Sequence, residues 1–280
     1  MRTLRGRWTP HRRVGWIVAL LAVALAAVAL WLILRTLPAA VDPTWERILE
    51  TGMLRVCTDP SWPPFEFVEQ ATGQIKGFDI DLAGLLAARL VPPGDAPTSV
   101  QAEIVPVGFD GLYDALQAGR CDVVLSALPY EPMRTQDVVY SVAYFNAGTV
   151  LLIREGTSGI ETLDDLASRA VGVEWGFVPE GDARQVELLR SLGVRHYDTA
   201  GDALRALHAG EVEAAIVDHI TALAYLRACG GLEFVGEPIY DLNYVVPVRP
   251  DSFRLLEEIN RVLLEMREDS TLQALQERWF

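Results

Sequence analysis

Cys57-Thr58-Asp59-Pro60-Ser61-Trp62-Pro63-Pro64-Phe65-Glu66-Phe67, followed by Gly77-Phe78-Asp79-Ile80-Asp81-Leu82-Ala83, is the stretch that decides how this chain folds. Leu54-Arg55-Val56-Cys57 reads as a short buried strand, and Asp59-Pro60 stops it. The prolines that follow fix φ and stiffen a turn that displays Trp62. Asp79 and Asp81 then open a helix, where carboxylates complement the positive end of the helix dipole. A ring on a rigid loop past a strand's carboxyl end suits a ligand contact or a packed core turn. Local physics leaves both open.

Working outward, strand and helix signals alternate to the end of the chain. After the strand at 54–58 and a helix over 79–90, the Pro/Gly-rich run 91–98 reads as a surface loop. A strand follows at 102–107, then a helix over 110–118 closed by Gly119, then a near-continuous apolar strand at 122–127. This βαβαβ order implies a doubly wound α/β lobe. A second series follows, with strands at 149–153, 170–174 and 214–217, helices at 182–192, 200–209 and 221–228, and a short helix at 163–167. A strand at 244–248 and helices at 253–266 and 271–279 finish the chain. Two successive α/β blocks predict two lobes with a crevice between the carboxyl ends of their strands, where such folds bind small ligands.

The amino terminus is different in kind. Residues 14–34 carry no charge, and as a helix they span roughly 31 Å, the hydrocarbon thickness of a bilayer. Arg2, Arg5, Arg7, Arg12 and Arg13 precede them and only Arg35 follows closely, which keeps the amino terminus in the cytoplasm. The run is longer than an export signal's usual ~7–15 apolar residues. It therefore reads as an uncleaved anchor, with a cleaved signal as the alternative because small residues stand at 38–40. The expected organisation is a basic cytoplasmic tail (1–13), a transmembrane segment (14–34), a linker (35–44), a first lobe (45–146 plus 243–280) and a second (147–242).

Charge and motif content exclude several functions. With the six arginines before residue 38 set aside, 18 basic residues face 38 acidic ones, which argues against nucleic acid and against docking on an anionic membrane surface. No phosphate loop, nucleophile elbow, kinase set or metal-spaced histidine pair is present, and no cofactor is expected. Cys57 and Cys121 fall in expected buried strands and read as small apolar residues; three scattered cysteines imply no disulfide framework.

What stands out is a set of polar groups just past strand ends: Asp59 with Trp62, Ser126 with Arg134, Gly176, and Asp218. A guanidinium at one lip and a carboxylate at the other would complement a zwitterion. Arg134 can instead form a surface ion pair with Glu131 or Asp137, and Asp218 can cap the helix that follows.

In this order the motifs resemble the extracellular solute-binding proteins of family 3, the polar amino-acid-binding components of ABC importers. They are Leu54 to Asp59 with Trp62-Pro63-Pro64-Phe65-Glu66, Gly77 to Ala83, Phe109-Asp110-Gly111-Leu112, and Asp122-Val123-Val124-Leu125-Ser126 with Arg134. Val171-Gly172-Val173, Glu213 to Asp218 and the closing Trp279-Phe280 complete the set. The resemblance covers about residues 45–280 and implies a periplasmic-binding-protein-like clamshell, outside the cytoplasm, that closes on one small solute and delivers it to a permease. It implies that Trp62 and Phe109 sandwich the ligand, that Asp59 lines the mouth, that Ser126 hydrogen-bonds the ligand, and that Arg134 and Asp218 take its carboxylate and ammonium. Gly176 and Val178 belong to the turn that helps hold the carboxylate. Segments near 145–149 and 237–243 would form the hinge.

The pattern departs from the family where Ala127 and Pro129 replace small hydroxyl residues, and where Gly176-Phe177-Val178 replaces a Gly-Thr-Thr-like turn. Two other functions fit this scaffold. One is a cyclohexadienyl-dehydratase-like enzyme using Glu174 or Glu180 as general acid; the other is a sensor acting through a partner.

Overall fold

The computed structural model describes residues 41–91, 99–177 and 183–280, together with Leu20 and Val23. Apart from those two positions, the apolar run 14–34 lies outside the described residues. Among the described residues no helix is long and apolar enough to cross a membrane.

The described chain begins with a helix whose start is written in its sequence. Asp42 accepts a hydrogen bond from the Trp45 amide, Pro43 occupies the first turn, and Gly52 ends the Pro43–Thr51 helix in a left-handed conformation. These are the expected devices for satisfying orphan groups at helix ends. The same Asp42 carboxylate also accepts from the Arg254 and Leu255 amides at the start of the Phe253–Glu268 helix. One buried carboxylate therefore caps two helices from opposite ends of the chain.

The first lobe is a five-stranded sheet in the order Gln101–Pro106, Met53–Thr58, Val123–Val124, Pro247–Val248, Val139–Tyr140. Met53–Thr58 runs parallel to both of its neighbours, whereas Pro247–Val248 runs antiparallel. The Phe78–Arg89 helix lays Phe78, Leu82, Leu86 and Ala87 into the core. At its centre Phe65 meets Phe78, Phe145, Tyr244 and Phe280 at centroid distances of 5.1–5.7 Å. Complete burial of a ring that size contributes about 2–3 kcal/mol, and edge-on pairs add to it. The core aromatics of the deciding stretch are thus Phe65 and Phe78, and Trp62 is left outside.

The second lobe is a five-stranded sheet in the order Val194–Tyr197, Val171–Glu174, Ala214–Asp218, Thr149–Arg154, Leu232–Tyr240. Its fourth strand in that order, Thr149–Arg154, is antiparallel to both neighbours. The sheets are therefore mixed rather than wholly parallel, because segments that cross between lobes pair in them.

Three sequence expectations need correction. The strand expected at 122–127 is only Val123–Val124. Ala127 adopts φ 43°, and its amide is taken by the Asp79 carboxylate. Leu232–Tyr240 is a long strand that the sequence concealed, since Gly236 and Pro238 interrupt its pattern where its register slips. The largest correction is covalent. Cys57 and Cys121 form a disulfide with Cα atoms 5.7 Å apart, because the Leu112–Gln117 helix and Gly119 return the chain beside the first strand. Only Cys229 is a free thiol.

Two segments connect the sheets, one leaving the first lobe through Phe145–Asn146 and one returning through Asn243–Tyr244. They pair antiparallel, and Tyr240 pairs with Thr149 on the far side. Gly148 sits where they cross. A Cβ there would lie 1.8 Å from the Tyr240 carbonyl oxygen, far inside contact distance. Gly148→Ala is expected to cost about 3 kcal/mol, the upper range for overpacking, read as a lower urea midpoint. An unchanged midpoint would mean that the crossing segments part freely.

Candidate ligand cleft

In the first lobe the loops after the strands' carboxyl ends enclose a cavity of about 340 Å³, lined by Asp59, Trp62, Glu66, Phe109, Ser126 and Ala127, with Leu242 and Tyr244 from the return crossing. Trp62 lies in a short strand, Ser61–Trp62, directly opposite Glu66 in the antiparallel partner Glu66–Val68. It is 57 % exposed, and Phe109, on a single 3-10 turn, is 52 % exposed. Large rings this open beside a cavity have apolar faces to offer a ligand.

A chain of hydrogen bonds fixes these parts. The Phe109 amide donates to the Asp59 carboxylate at 2.9 Å. The Asp59 amide donates to Ser126 Oγ at 2.9 Å, and that hydroxyl donates to Glu66 Oε1 at 2.9 Å. Four of the residues expected at a ligand site, Asp59, Trp62, Phe109 and Ser126, therefore converge. Ser126 is almost fully buried and holds the loops together from below.

On the second lobe a cavity of about 520 Å³ is lined by Thr149, Glu174, Trp175, Gly176, Phe177 and Asp218 among others. Gly176 and Asp218 thus face one cavity. Asp218 also caps its helix, accepting the Thr221 amide at 2.7 Å, the capping role that its position in sequence allowed. Val178 and Glu180 lie outside the described residues. Glu174 lines the cavity and is exposed.

Arg134 lines neither cavity. Its guanidinium stacks over the Tyr113 ring at 4.4 Å and pairs with Glu131 at 3.5 Å, the ion pair that its position in sequence allowed.

Three residues escaped sequence reasoning. Glu66 stands within the quoted motif, but only the hairpin register turns it toward the cavity. Tyr244 arrives from the far end of the chain. Trp175, 65 % exposed, stacks flat on His196 with centroids 4.5 Å apart. An apolar ring directly before Gly176 was its only signal.

The floor is electrostatically unusual. Glu66 and Asp79 are both buried, and burial pushes both carboxyls well above their ordinary range, with the Asp79 charge adding to the effect on Glu66. Tyr244 is pushed up to about 12 by burial and then by the charges of Asp79, Glu66 and Asp218. Among the described residues no group of three or more acidic, histidine or cysteine side chains could hold a metal ion.

Residues 54–280 match the bacterial extracellular solute-binding proteins, family 3. The chain belongs to that family. It is 31 % identical over 236 residues to the L-cystine-binding protein TcyJ of Escherichia coli strain K12, covering 84 % of this chain and 85 % of that one. Among solved structures it resembles an ancestral cationic amino acid solute-binding protein at 32 % identity and TM-score 0.57, covering 85 % of this chain and 99 % of the other. It also resembles an ancestral cyclohexadienyl dehydratase at 27 % identity and TM-score 0.70, with coverage of 86 % and 97 %. Membership in the family makes the chain a solute-binding protein of the extracellular class with a two-lobed α/β architecture.

Proposed function

We propose that this family 3 protein captures a single amino acid between its lobes and delivers it to the permease of an ABC importer. The observation that carries the reading is the pairing of half-sites. Aromatic walls and Asp59 stand at the strand ends of one lobe, and Asp218 with Gly176 at those of the other. A ligand touching both favours the closed state, because only that state supplies both sets of contacts. Trp62 and Phe109 would hold the ligand's side chain, and Asp218 its ammonium. Arg134 would exchange Glu131 for the ligand's carboxylate, and Val178 would complete the second lobe's contacts.

Residues 14–34 would tether the protein to the cell membrane, with the lobes outside. The buried Cys57–Cys121 disulfide suits an oxidising compartment. A mature chain that begins near Ala40 or Val41 would overturn the tether and leave the binding reading intact.

The test is isothermal titration of the full-length chain in mild detergent with L-cystine, the basic amino acids and the remaining common ones. One-to-one binding of at least one is expected, with a higher melting temperature as linkage requires. Trp62→Ala should weaken it about thirtyfold, as expected for a central aromatic contact worth ~2 kcal/mol. Arg134→Ala should weaken it at least tenfold, since a charge-assisted bond is worth about 1.5–3 kcal/mol. No binding across the panel, or turnover of prephenate or arogenate that depends on Glu174 or Glu180, would overturn the proposal.

A further inference from the structure

Beneath the first lobe's cavity lies a pair of carboxyl groups with no cation to balance them. Glu66 and Asp79 are 1 % and 0 % exposed, and no ion pair among the described residues includes either one. Each has one oxygen already engaged. Glu66 Oε1 accepts from Ser126, and Asp79 Oδ2 accepts from the Ala127 amide at 2.6 Å and the Tyr144 hydroxyl at 3.0 Å. The remaining two, Glu66 Oε2 and Asp79 Oδ1, are buried with no donor. Two ionised carboxylates left in this way would carry both a desolvation cost and mutual repulsion. A single proton placed between them removes the repulsion and satisfies both orphaned oxygens.

We propose that Glu66 and Asp79 hold one proton between them at neutral pH, and that this proton positions the floor and both aromatic walls of the cleft. The geometry also says which residue keeps it. Asp79 accepts two hydrogen bonds and sits in the first turn of the Phe78–Arg89 helix, where the dipole favours a negative charge. Glu66 accepts one and faces the cavity. Glu66 is therefore the acid and Asp79 the carboxylate.

From this proton the network runs outward in two directions. Through Ser126 and the Asp59 amide it reaches the Asp59 carboxylate and the Phe109 amide, and through the hairpin it reaches Trp62, directly opposite Glu66. Through Asp79 it fixes Ala127 in its left-handed conformation. The groups that bear on the pair are Asp59 beside Glu66, the Tyr144 and Tyr244 phenols, and, through Tyr244, Asp218. Every one is acidic or neutral, so no cation favours loss of the proton. The Ser126 and Tyr144 hydroxyls favour the ionised form of the carboxyls they donate to, and burial outweighs them.

The term cleft rests on the ligand-binding reading above, but the proton does not, and its test uses no ligand. A carboxyl raised on folding makes the folded state bind more protons than the unfolded chain, so stability falls as pH rises. Urea unfolding of the full-length chain should lose up to about tenfold in its folding equilibrium constant per pH unit within the window between about pH 5 and pH 9. In Glu66→Gln the amide donates to Asp79 and its oxygen accepts from Ser126, so that component of the slope should vanish while the variant stays folded. Histidine titration is common to both proteins and cancels in the difference.

Hydrogen exchange gives the positioning readout. After correction for intrinsic rates, protection of the Ala127 and Asp59 amides should fall with pH in the wild type and stay level in Glu66→Gln. Parallel stability profiles for the two proteins would overturn the shared proton, and level amide protection in both would overturn its positioning role. Should Glu66→Gln fail to fold, Asp79→Asn asks the same question, since its amide donates to an ionised Glu66. A wild-type slope retained in Asp79→Asn would overturn the proposal.

Discussion

Replacing Cys57 and Cys121 together by alanine is expected to lower stability by about 4 kcal/mol. The bond closes a loop of 64 residues, and the chain-entropy model gives about 3 kcal/mol for a 15-residue loop and about 4.7 for a 100-residue one. Both side chains are fully buried beside Leu112, Leu116, Val124 and Leu128, so alanine adds a small cavity cost in the same direction. The loop holds almost everything that shapes the first half-site: Asp59, Trp62, Glu66, Asp79 and Phe109 lie between the two cysteines. Urea unfolding of the wild type with and without reductant should show the loop contribution, and the double variant should show that shift plus the small cavity cost. A shift under 1 kcal/mol in both would show that packing alone holds the first strand to its neighbour.

Asp122→Ala is expected to cost about 3 kcal/mol through a different mechanism at the same seam. The Asp122 side chain is wholly buried and meets Arg47, the Arg55 guanidinium at 2.8 Å and the Arg55 amide at 2.8 Å. Removing one member of a buried ionic group leaves its partners uncompensated, at about 3–5 kcal/mol. The two arginines keep about a quarter of their side-chain surface in water, which argues for the lower end. Asp122→Asn should recover part of the loss, because it can still accept from the Arg55 amide. Equal losses for the two variants would place the whole effect in charge rather than in the backbone bond. Since Met53–Thr58 and Val123–Val124 carry Asp59 and Ser126 at their ends, ligand affinity should fall in both variants even at temperatures where they remain folded.

The helices were largely legible because their signals are local. Residues 200–209 and 271–279 were read to their ends, with Thr199 capping the first and Gly210 closing it. The strand at Val171–Glu174 was legible from its apolar run, the run at 122–127 overstated a strand of two residues, and Leu232–Tyr240 was concealed where glycine and proline broke the pattern. Val194–Tyr197 was missed because an edge strand with exposed Arg195 and His196 carries almost no hydrophobic signal.

The stretch at 57–83 determined by itself a strand, a stiff turn and a helix start, since each follows from φ preference, charge near a dipole and local periodicity. The order of such motifs also determined the family. Only the tertiary structure decided that Phe65 is core while Trp62 lines a cavity, and that Cys57 meets Cys121. It also decided that Arg134 rests on Tyr113 and that Glu66 faces Asp79. Each of these pairings joins residues whose distance along the chain says nothing of their distance in space. Hydrophobic burial brings them together without regard to their polar groups, and the charges, thiols and protons must then find partners among whatever neighbours the packing supplies.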